Sequence, residues 1–122
     1  MVRDHSEPKH RDLYSGLIPL HVLYHASKGP IFGLEMIEEL RRHGYRLSPG
    51  TMYPLLHGLE SKGLLKSRQT ASGRNRRRVY RATPAGRTAL ALAKDKVQEL
   101  FSELFEDVLY AAKRTAKRRR RD

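Results

Sequence analysis

The stretch from Leu47 to Glu60 decides the predicted fold, and its sequence is LSPGTMYPLLHGLE. Ser48 followed by Pro49 is typical of a helix beginning, because serine is a favoured N-cap and proline is tolerated at the first helical position. Apolar residues then recur at three- and four-residue spacing: Met52, Leu55, Leu56 and Leu59. The stretch therefore predicts an amphipathic helix, which Gly63 ends.

A second predicted helix, Phe32 to His43, comes shortly before it and carries Phe32, Met36, Ile37 and Leu40 on one face. Gly44 ends this helix, because glycine adopts a positive φ at little cost. Only the four residues from Gly44 to Leu47 link the two helices. Two helices joined by so short a glycine-containing turn are typical of a helix-turn-helix unit.

The flanking segments complete this unit. Leu13 to Ser27 predicts a first helix, whose regular part we expect to begin near Pro19 because proline is tolerated only in the first turn. Two basic extended runs, Leu64–Arg68 and Arg76–Thr83, surround a small glycine-containing loop and predict a β-hairpin. The expected fold is mainly α with a small β-hairpin, a winged helix-turn-helix at residues 13–83 preceded by a flexible arm at residues 1–12.

Thr83 and Pro84 repeat the cap-then-proline signal and predict a long helix at residues 84–112. An apolar stripe follows this helix at a spacing near 3.5 residues: Val97, Leu100, Phe101, Leu104, Phe105, Val108 and Leu109. We interpret the stripe as a dimerisation face. Residues 113–122 hold seven cations and one acid, and like charges at this density predict a disordered tail.

Positive charge is concentrated in two segments of this chain. The net charge is +12, yet residues 64–81 hold seven basic groups without an acid, residues 113–122 hold seven with one acid, and the rest is near neutral. Such segments suit a polyanion, either nucleic acid or an anionic membrane. The chain has no cysteine, no long apolar run and no catalytic constellation, so we expect neither a disulfide scaffold, a membrane span nor an enzyme.

The chain resembles the PadR family of transcriptional regulators from Leu13 to Val108. The matching segments are IFGLEMIEEL (31–40), LSPGTMYPLLHGLE (47–60), KGLL (62–65), RRVYR (77–81) and TPAG (83–86). The single helix after the wing is similar to the short subfamily. The resemblance implies a cytoplasmic, nucleoid-associated homodimeric repressor, whose last and first helices form the dimer interface and whose effector is a small aromatic or lipophilic compound.

The third helix is the candidate DNA reader, with Ser48, Thr51 and Tyr53 in its first turns. Small polar and phenolic groups there can reach phosphates or base edges in a major groove. The alternative is that Ser48 only caps the helix and Tyr53 only packs at the core edge.

The wing supplies the second candidate set, Arg74, Arg76, Arg77, Arg78 and Arg81. Alternate residues of a strand share a face, so at most half of these arginines address one DNA surface. Arg74 and Arg76, near the loop, could enter a minor groove. The alternative is an edge strand whose charges protect it from aggregation.

A candidate effector site follows from the resemblance and comprises His21, Tyr24, His25, Phe101 and Phe105. His21 and His25 are four residues apart, which also suits one metal ion, but no third ligand is identifiable, so we expect no metal and no cofactor. The predicted partner is double-stranded DNA with a pseudo-palindromic operator, and no membrane. A nonspecific, nucleoid-type nucleic-acid binder, for which the tail is primary, and a protein–protein adaptor remain alternatives.

Overall fold

A computed structural model of the protein describes residues 12–70 and 77–121. Its elements in chain order are α1 (Leu17–Lys28), β1 (Ile31–Phe32), α2 (Gly33–Arg42), α3 (Pro49–Ser61), β2 (Leu65–Gln69), β3 (Arg78–Ala82), α4 (Pro84–Leu104) and α5 (Glu106–Arg121). The chain divides into two compact units. We call the part up to Leu90 the winged-helix unit and the part from Ala91 the C-terminal unit.

The helix boundaries follow local signals in the sequence. α1 begins at Leu17, two residues earlier than expected, and Pro19 therefore lies in its first turn. Its missing N–H costs nothing there, because the first N–H groups of a helix have no partner within it. Gly44 and Gly63 have φ values of +91° and +79°, and they end α2 and α3 as predicted.

The three strands form an antiparallel sheet in the order β1-β3-β2. β2 and β3 are the predicted hairpin. β1 is not in the prediction, which begins a helix at Phe32, whereas Phe32 pairs with Val79 of β3. Two residues are too short to show a periodicity, and their partners lie far along the chain. The mainly helical architecture with a small antiparallel sheet is otherwise the predicted one.

One apolar core holds the winged-helix unit together. Its most completely buried side chains come from α1, α2, α3, β2 and β3: Val22, Leu40, Met52, Leu56, Leu65 and Tyr80. Burying one such aliphatic side chain stabilises a fold by about 1.5–3 kcal/mol. The predicted apolar faces of α2 and α3 therefore meet, and they hold α3 at a fixed position in the unit.

A close backbone approach holds the beginning of α4 against the turn after α3. The Thr83 hydroxyl oxygen accepts a hydrogen bond from the Gly86 N–H at 2.9 Å, which confirms the predicted cap. The Thr83 N–H donates to the Leu64 carbonyl oxygen at 3.1 Å. A Cβ atom on Gly86 would lie 2.1 Å from that same oxygen, so only glycine fits here.

The C-terminal end differs from the prediction. The expected helix end at residue 112 and the disordered tail beyond it are wrong, because α5 continues to Arg121. Lysine and arginine are good helix formers, and cations are favourable near a helix C-terminus. Only Phe105 interrupts the predicted long helix, and its N–H still donates to the Phe101 carbonyl oxygen at 2.9 Å. The predicted arm at residues 1–11 and Asp122 lie outside the described residues.

Candidate nucleic-acid interface

The N-terminus of α3 is an exposed polar surface. Ser48, Gly50 and Thr51 are all exposed there. Ser48 occupies the N-cap position with an extended backbone, but its side chain makes no capping hydrogen bond. Its carbonyl oxygen instead accepts from the N–H groups of Thr51 and Met52 at 3.0 and 2.9 Å. The Ser48 hydroxyl is therefore not used as the predicted cap.

Tyr53 lies on the inner side of the same helix and is partly buried. Its ring covers Gly33 at the beginning of α2, where a Cβ atom would approach the ring to 2.6 Å. Glycine is a poor helix former, so its place at the first position of α2 follows from this contact. The helix-weakening glycine is the only sequence signal that could have indicated this packing.

Arg77 brings the base of the wing to the same place. Its guanidinium lies 3.8 Å from the centroid of the Phe32 ring, and it is 3.9 Å from the Glu35 carboxylate. Phe32 and Gly33 are consecutive, so the wing and α3 contact adjacent residues at the N-terminus of α2. We call the four residues Phe32, Gly33, Tyr53 and Arg77 the α2 joint. It connects α3 and the wing, the two elements that the sequence predicts to bind DNA.

A second connection links the other end of α3 to the sheet. The Ser67 N–H and hydroxyl both donate to the Glu60 carboxylate at 2.8–3.0 Å, and Arg78 donates to the Ser67 hydroxyl at 3.0 Å. Arg78 therefore shares a face with Tyr80, as strand alternation predicts. Burial raises the pKa of Tyr80, whose hydroxyl has no hydrogen-bond partner among the described residues.

The opposite face of the hairpin carries further cations. Lys66 and Arg81 are exposed and lie directly opposite each other in the register of β2 and β3. Two like charges in this position destabilise a sheet. Arg68 is exposed on the same face of β2. The sequence alone places Lys66 and Arg68 in the basic segment without assigning them to a site, and the register groups them with Arg77 and Arg81.

The other two predicted wing arginines, Arg74 and Arg76, lie outside the described residues. Arg77 and Arg78, which are described, point to opposite faces of β3, as the alternation predicts. Arg77 remains half exposed although it stacks on Phe32. An exposed ion pair such as Arg77–Glu35 contributes little, so the guanidinium can exchange this carboxylate for another anion.

The histidines of α1 face α2. The rings of His21 and His43 are 4.8 Å apart, and the Glu39 carboxylate is 3.6 Å from His25 and 3.2 Å from His43. Burial, with His43 and His25 nearby, lowers the pKa of His21, whereas Glu39 opposes the shift. Within residues 12–70 and 77–121, no group of three or more metal-ligating side chains is arranged to hold a metal ion.

The remaining predicted effector residues are more exposed. Tyr24 lies on the exposed side of α1, with the Lys28 ammonium 5.4 Å from its ring. In the C-terminal unit, Phe101 and Phe105 contact each other at 4.8 Å between ring centroids, and both are about half exposed. Both phenylalanines belong to the predicted apolar stripe.

That stripe is uncovered in the single chain. Its described members are Val97, Leu100, Phe101, Leu104, Phe105 and Val108, with exposed fractions from 45% to 67%. No large apolar side chain of this unit is buried among the described residues. None of the described helices combines the length and the apolar character that crossing a membrane requires.

Comparison with known proteins identifies the family. The pattern of the transcriptional regulator PadR-like family matches residues 22–92. The chain is similar to the transcriptional regulator Rv3488 of Mycobacterium tuberculosis, with 48% identity over 94 residues that cover 77% of this chain and 88% of that protein.

Two solved structures are similar in fold. A PadR family transcriptional regulator from Eggerthella lenta has 29% identity and a TM-score of 0.69, covering 78% of this chain and 84% of that one. A PadR-like regulator from Bacillus cereus has 25% identity and a TM-score of 0.70, covering 78% and 94%. The family match at residues 22–92 spans the α2 joint and the hairpin, and all of these matches are to regulators rather than to enzymes. The chain belongs to the PadR-like family of transcriptional regulators.

Proposed function

We propose that this regulator is a sequence-specific homodimeric repressor that binds a pseudo-palindromic operator in double-stranded DNA. The observation that supports this most strongly is the α2 joint. Through Phe32 and Gly33 it connects α3, the predicted reading helix, to Arg77 at the base of the wing. A reading helix and a basic ribbon fixed to each other can engage one stretch of duplex together.

Different residues of α3 make different contacts with the DNA. Thr51 contacts base edges in the major groove, where its exposed hydroxyl and methyl groups can distinguish base pairs. Ser48 and the N–H of Gly50, the first N–H of the helix because Pro49 has none, bind a phosphate, since the positive end of the helix favours an anion. Tyr53 sets the angle of the helix by packing the hydroxyl end of its ring on Gly33, and its hydroxyl contacts DNA from this position.

The wing supplies phosphate contacts. Arg77 is held at its base on the same side as Lys66, Arg68 and Arg81, whereas Arg78 lies on the other face. Arg74 and Arg76 lie nearer the loop in the sequence, and we assign them to the adjacent minor groove. Lys66, Arg68 and Arg81 add exposed charge. The directly opposed Lys66 and Arg81 support this role, because their mutual repulsion is relieved when a polyanion binds.

A second copy of the chain covers the apolar stripe of the C-terminal unit. Half-exposed Leu100, Phe101 and Phe105 support this, since an uncovered stripe of large apolar side chains marks an interaction site. Two-fold symmetry then places two reading helices on half-sites roughly 34 Å apart, or a multiple of this distance. Leu104→Glu should give a monomer by light scattering and weaken operator binding about a hundredfold or more, because the two half-sites no longer cooperate.

One experiment tests the recognition assignment. Sequencing the DNA that copurifies with the protein yields the operator, and fluorescence anisotropy then compares the operator with random duplex. Wild-type protein should prefer the operator by about a thousandfold or more. Thr51→Ala should change which operator base pairs are preferred, whereas the matched control Ser61→Ala, at the other end of α3, should not.

Three results would contradict the proposal. Unchanged base preference in Thr51→Ala removes the reading role of α3. A steep salt dependence without operator preference indicates a nucleoid-type binder instead. Negligible duplex binding indicates an adaptor.

The output of the regulator needs its own measurement. Repression predicts that a reporter with the operator inside its promoter loses expression when the protein is present. Increased expression would contradict repression.

The exposed Phe101–Phe105 pair supports an aromatic or lipophilic effector, so such compounds should lower operator affinity in the same anisotropy measurement. No compound-dependent change would remove the ligand-responsive part of the proposal.

A further inference from the structure

α5 ends in a dense series of cations that the winged helix does not account for. From Lys113 to Arg121 the chain has seven basic residues and no acid, and all of them lie in helical backbone. Helical spacing places Lys113, Arg114, Lys117 and Arg118 on one side, and all four are exposed. We call these four residues the α5 cationic face. It is a fixed array, because a helix holds its side chains at regular distances.

Two members of the α5 cationic face, Lys113 and Lys117, lie away from the apolar stripe of the same unit. The hydrogen bond from Phe105 to Phe101 continues the helical pattern from α4 into α5, so positions in the two helices share one wheel. On that wheel Leu104 and Val108 align with Ala111 and Thr115, on the side opposite Lys113 and Lys117. Covering the stripe with another copy therefore leaves Lys113 and Lys117 accessible, whereas Arg114 and Arg118 lie beside Ala111 and Thr115.

These charges are not neutralised within the helix. The nearest preceding acids, Glu106 and Asp107, lie at its beginning, six or more residues before Lys113. Cations four residues apart, as in Lys113–Lys117 and Arg114–Arg118, destabilise an isolated helix. A partner with regularly spaced negative charge relieves this repulsion.

The side of α5 opposite the cations indicates which polyanion fits. A helix that lies on a membrane needs large apolar side chains opposite its cations. From Ala111 onward the described residues on that side are Ala111, Ala112, Thr115, Ala116 and Arg119, none of them large and apolar. The face instead presents charge over roughly 7–8 Å of helix, which suits phosphates along a nucleic-acid backbone.

We propose that the α5 cationic face is a second docking surface for double-stranded DNA, separate from the winged helix. It binds phosphates without selecting bases and so adds affinity to operator and random duplex alike. This inference rests on the proposed function only in choosing duplex DNA as the polyanion. The face lies on a helix, where the sequence predicts a disordered tail.

The test compares two double variants of the full chain. Lys117→Gln with Arg118→Gln removes two charges from the α5 cationic face, and glutamine retains helix propensity. Lys94→Gln with Lys96→Gln is the matched control, because it removes two exposed charges from α4. Anisotropy titrations with random duplex and with operator, at several salt concentrations, measure affinity and salt slope. Circular dichroism and light scattering show that helix content and oligomeric state are preserved.

The α5 variant should lose affinity about equally for both duplexes, and its salt slope should flatten by up to about two units. Its operator preference should stay at the wild-type ratio, and the control should match the wild type throughout. An unchanged salt slope in the α5 variant, or an equal loss in the control, overturns the inference. So does a variant that keeps its duplex affinity but loses binding to phosphatidylserine vesicles, which would indicate a membrane surface.

These outcomes are separable from a failure of the proposed function. An unchanged slope in the α5 variant refutes the second docking surface even when the wild-type operator preference is intact. Conversely, lost operator preference in the wild type refutes sequence-specific recognition, while a flattened slope on random duplex still supports the α5 cationic face.

Discussion

The winged-helix unit and the C-terminal unit use apolar residues in opposite ways. In the first, Leu56 of α3 and Tyr80 of β3 are completely buried in one core. In the second, Leu104 and Val108 are 67% and 63% exposed on their helices. The first unit thus has a packed apolar core that holds α3 and the hairpin in place. The second exposes its apolar stripe, and under the proposed dimerisation its stability depends on association.

The largest expected effect on stability distinguishes a buried leucine of the first unit from an exposed leucine of the second. Leu56→Ala should lower the free energy of unfolding by about 2–5 kcal/mol, because it leaves a cavity in a packed core. This loss should be independent of protein concentration. Leu104→Ala should instead make the denaturation midpoint more dependent on concentration, since its cost falls on association. Urea denaturation at several concentrations measures both, and similar behaviour of the two variants would remove the distinction between the units.

A smaller effect is expected at the backbone approach near the unit boundary. Gly86→Ala should cost about 1–3 kcal/mol, because its methyl group would meet the Leu64 carbonyl oxygen at 2.1 Å. Gly58→Ala is the control, since a Cβ atom there meets nothing within 4 Å. The control should be neutral or slightly stabilising, as alanine is the better helix former. Equal thermal midpoints for Gly86→Ala and the wild type would contradict the contact.

The pH dependence of stability tests the packing of α1 on α2. Burial, His43 and His25 lower the pKa of His21 below its ordinary value of 6.5, so the folded state favours the neutral ring. The unfolded chain then takes up the proton first, and this stabilisation is present above pH 6.5 and lost as the pH falls through the lowered pKa.

Wild-type stability should therefore fall from pH 7.5 toward pH 5.5 more steeply than that of His21→Gln. Urea midpoints at several pH values for both proteins give the two slopes. Parallel slopes would show that His21 does not keep a lowered pKa in the folded protein.

The smallest effect is expected at Tyr80. Its hydroxyl is buried without a hydrogen-bond partner among the described residues, so Tyr80→Phe removes an unpaired polar group. The variant should be as stable as the wild type or slightly more stable. A clear loss of stability in thermal denaturation would indicate a partner for this hydroxyl.

Local signals in the sequence predicted most of the architecture. The serine–proline and threonine–proline pairs marked the beginnings of α3 and α4, and Gly44 and Gly63 marked the ends of α2 and α3. Each signal works within one turn, where backbone geometry and hydrogen bonding decide the outcome. The hairpin was equally local, because its two strands are consecutive in the chain.

The missed features depend on contacts between distant residues. β1 exists because Ile31 and Phe32 pair with β3, and Tyr53 turns inward because Gly33 leaves room for its ring. The sequence does not reveal the helical end of α5 for another reason. Repulsion between its cations predicts disorder, whereas the high helix propensity of lysine and arginine favours the helix that forms. The candidate site was thus predictable as a set of residues, whereas the α2 joint needed the fold.

In the proposed complex the N-terminus of α3 and the wing contact the same operator half-site. Because the chain has no cysteine, Thr51→Cys and Gln69→Cys can each carry a single iron–EDTA group for cleavage of the bound operator. Lys62→Cys, at the opposite end of α3, is the control. We expect the iron–EDTA group at position 51 to cleave DNA within each half-site and the group at position 69 to cleave the immediately adjacent backbone. The group at position 62 should cleave little DNA. Cuts from positions 51 and 69 on separate stretches of DNA, or from neither, would contradict it.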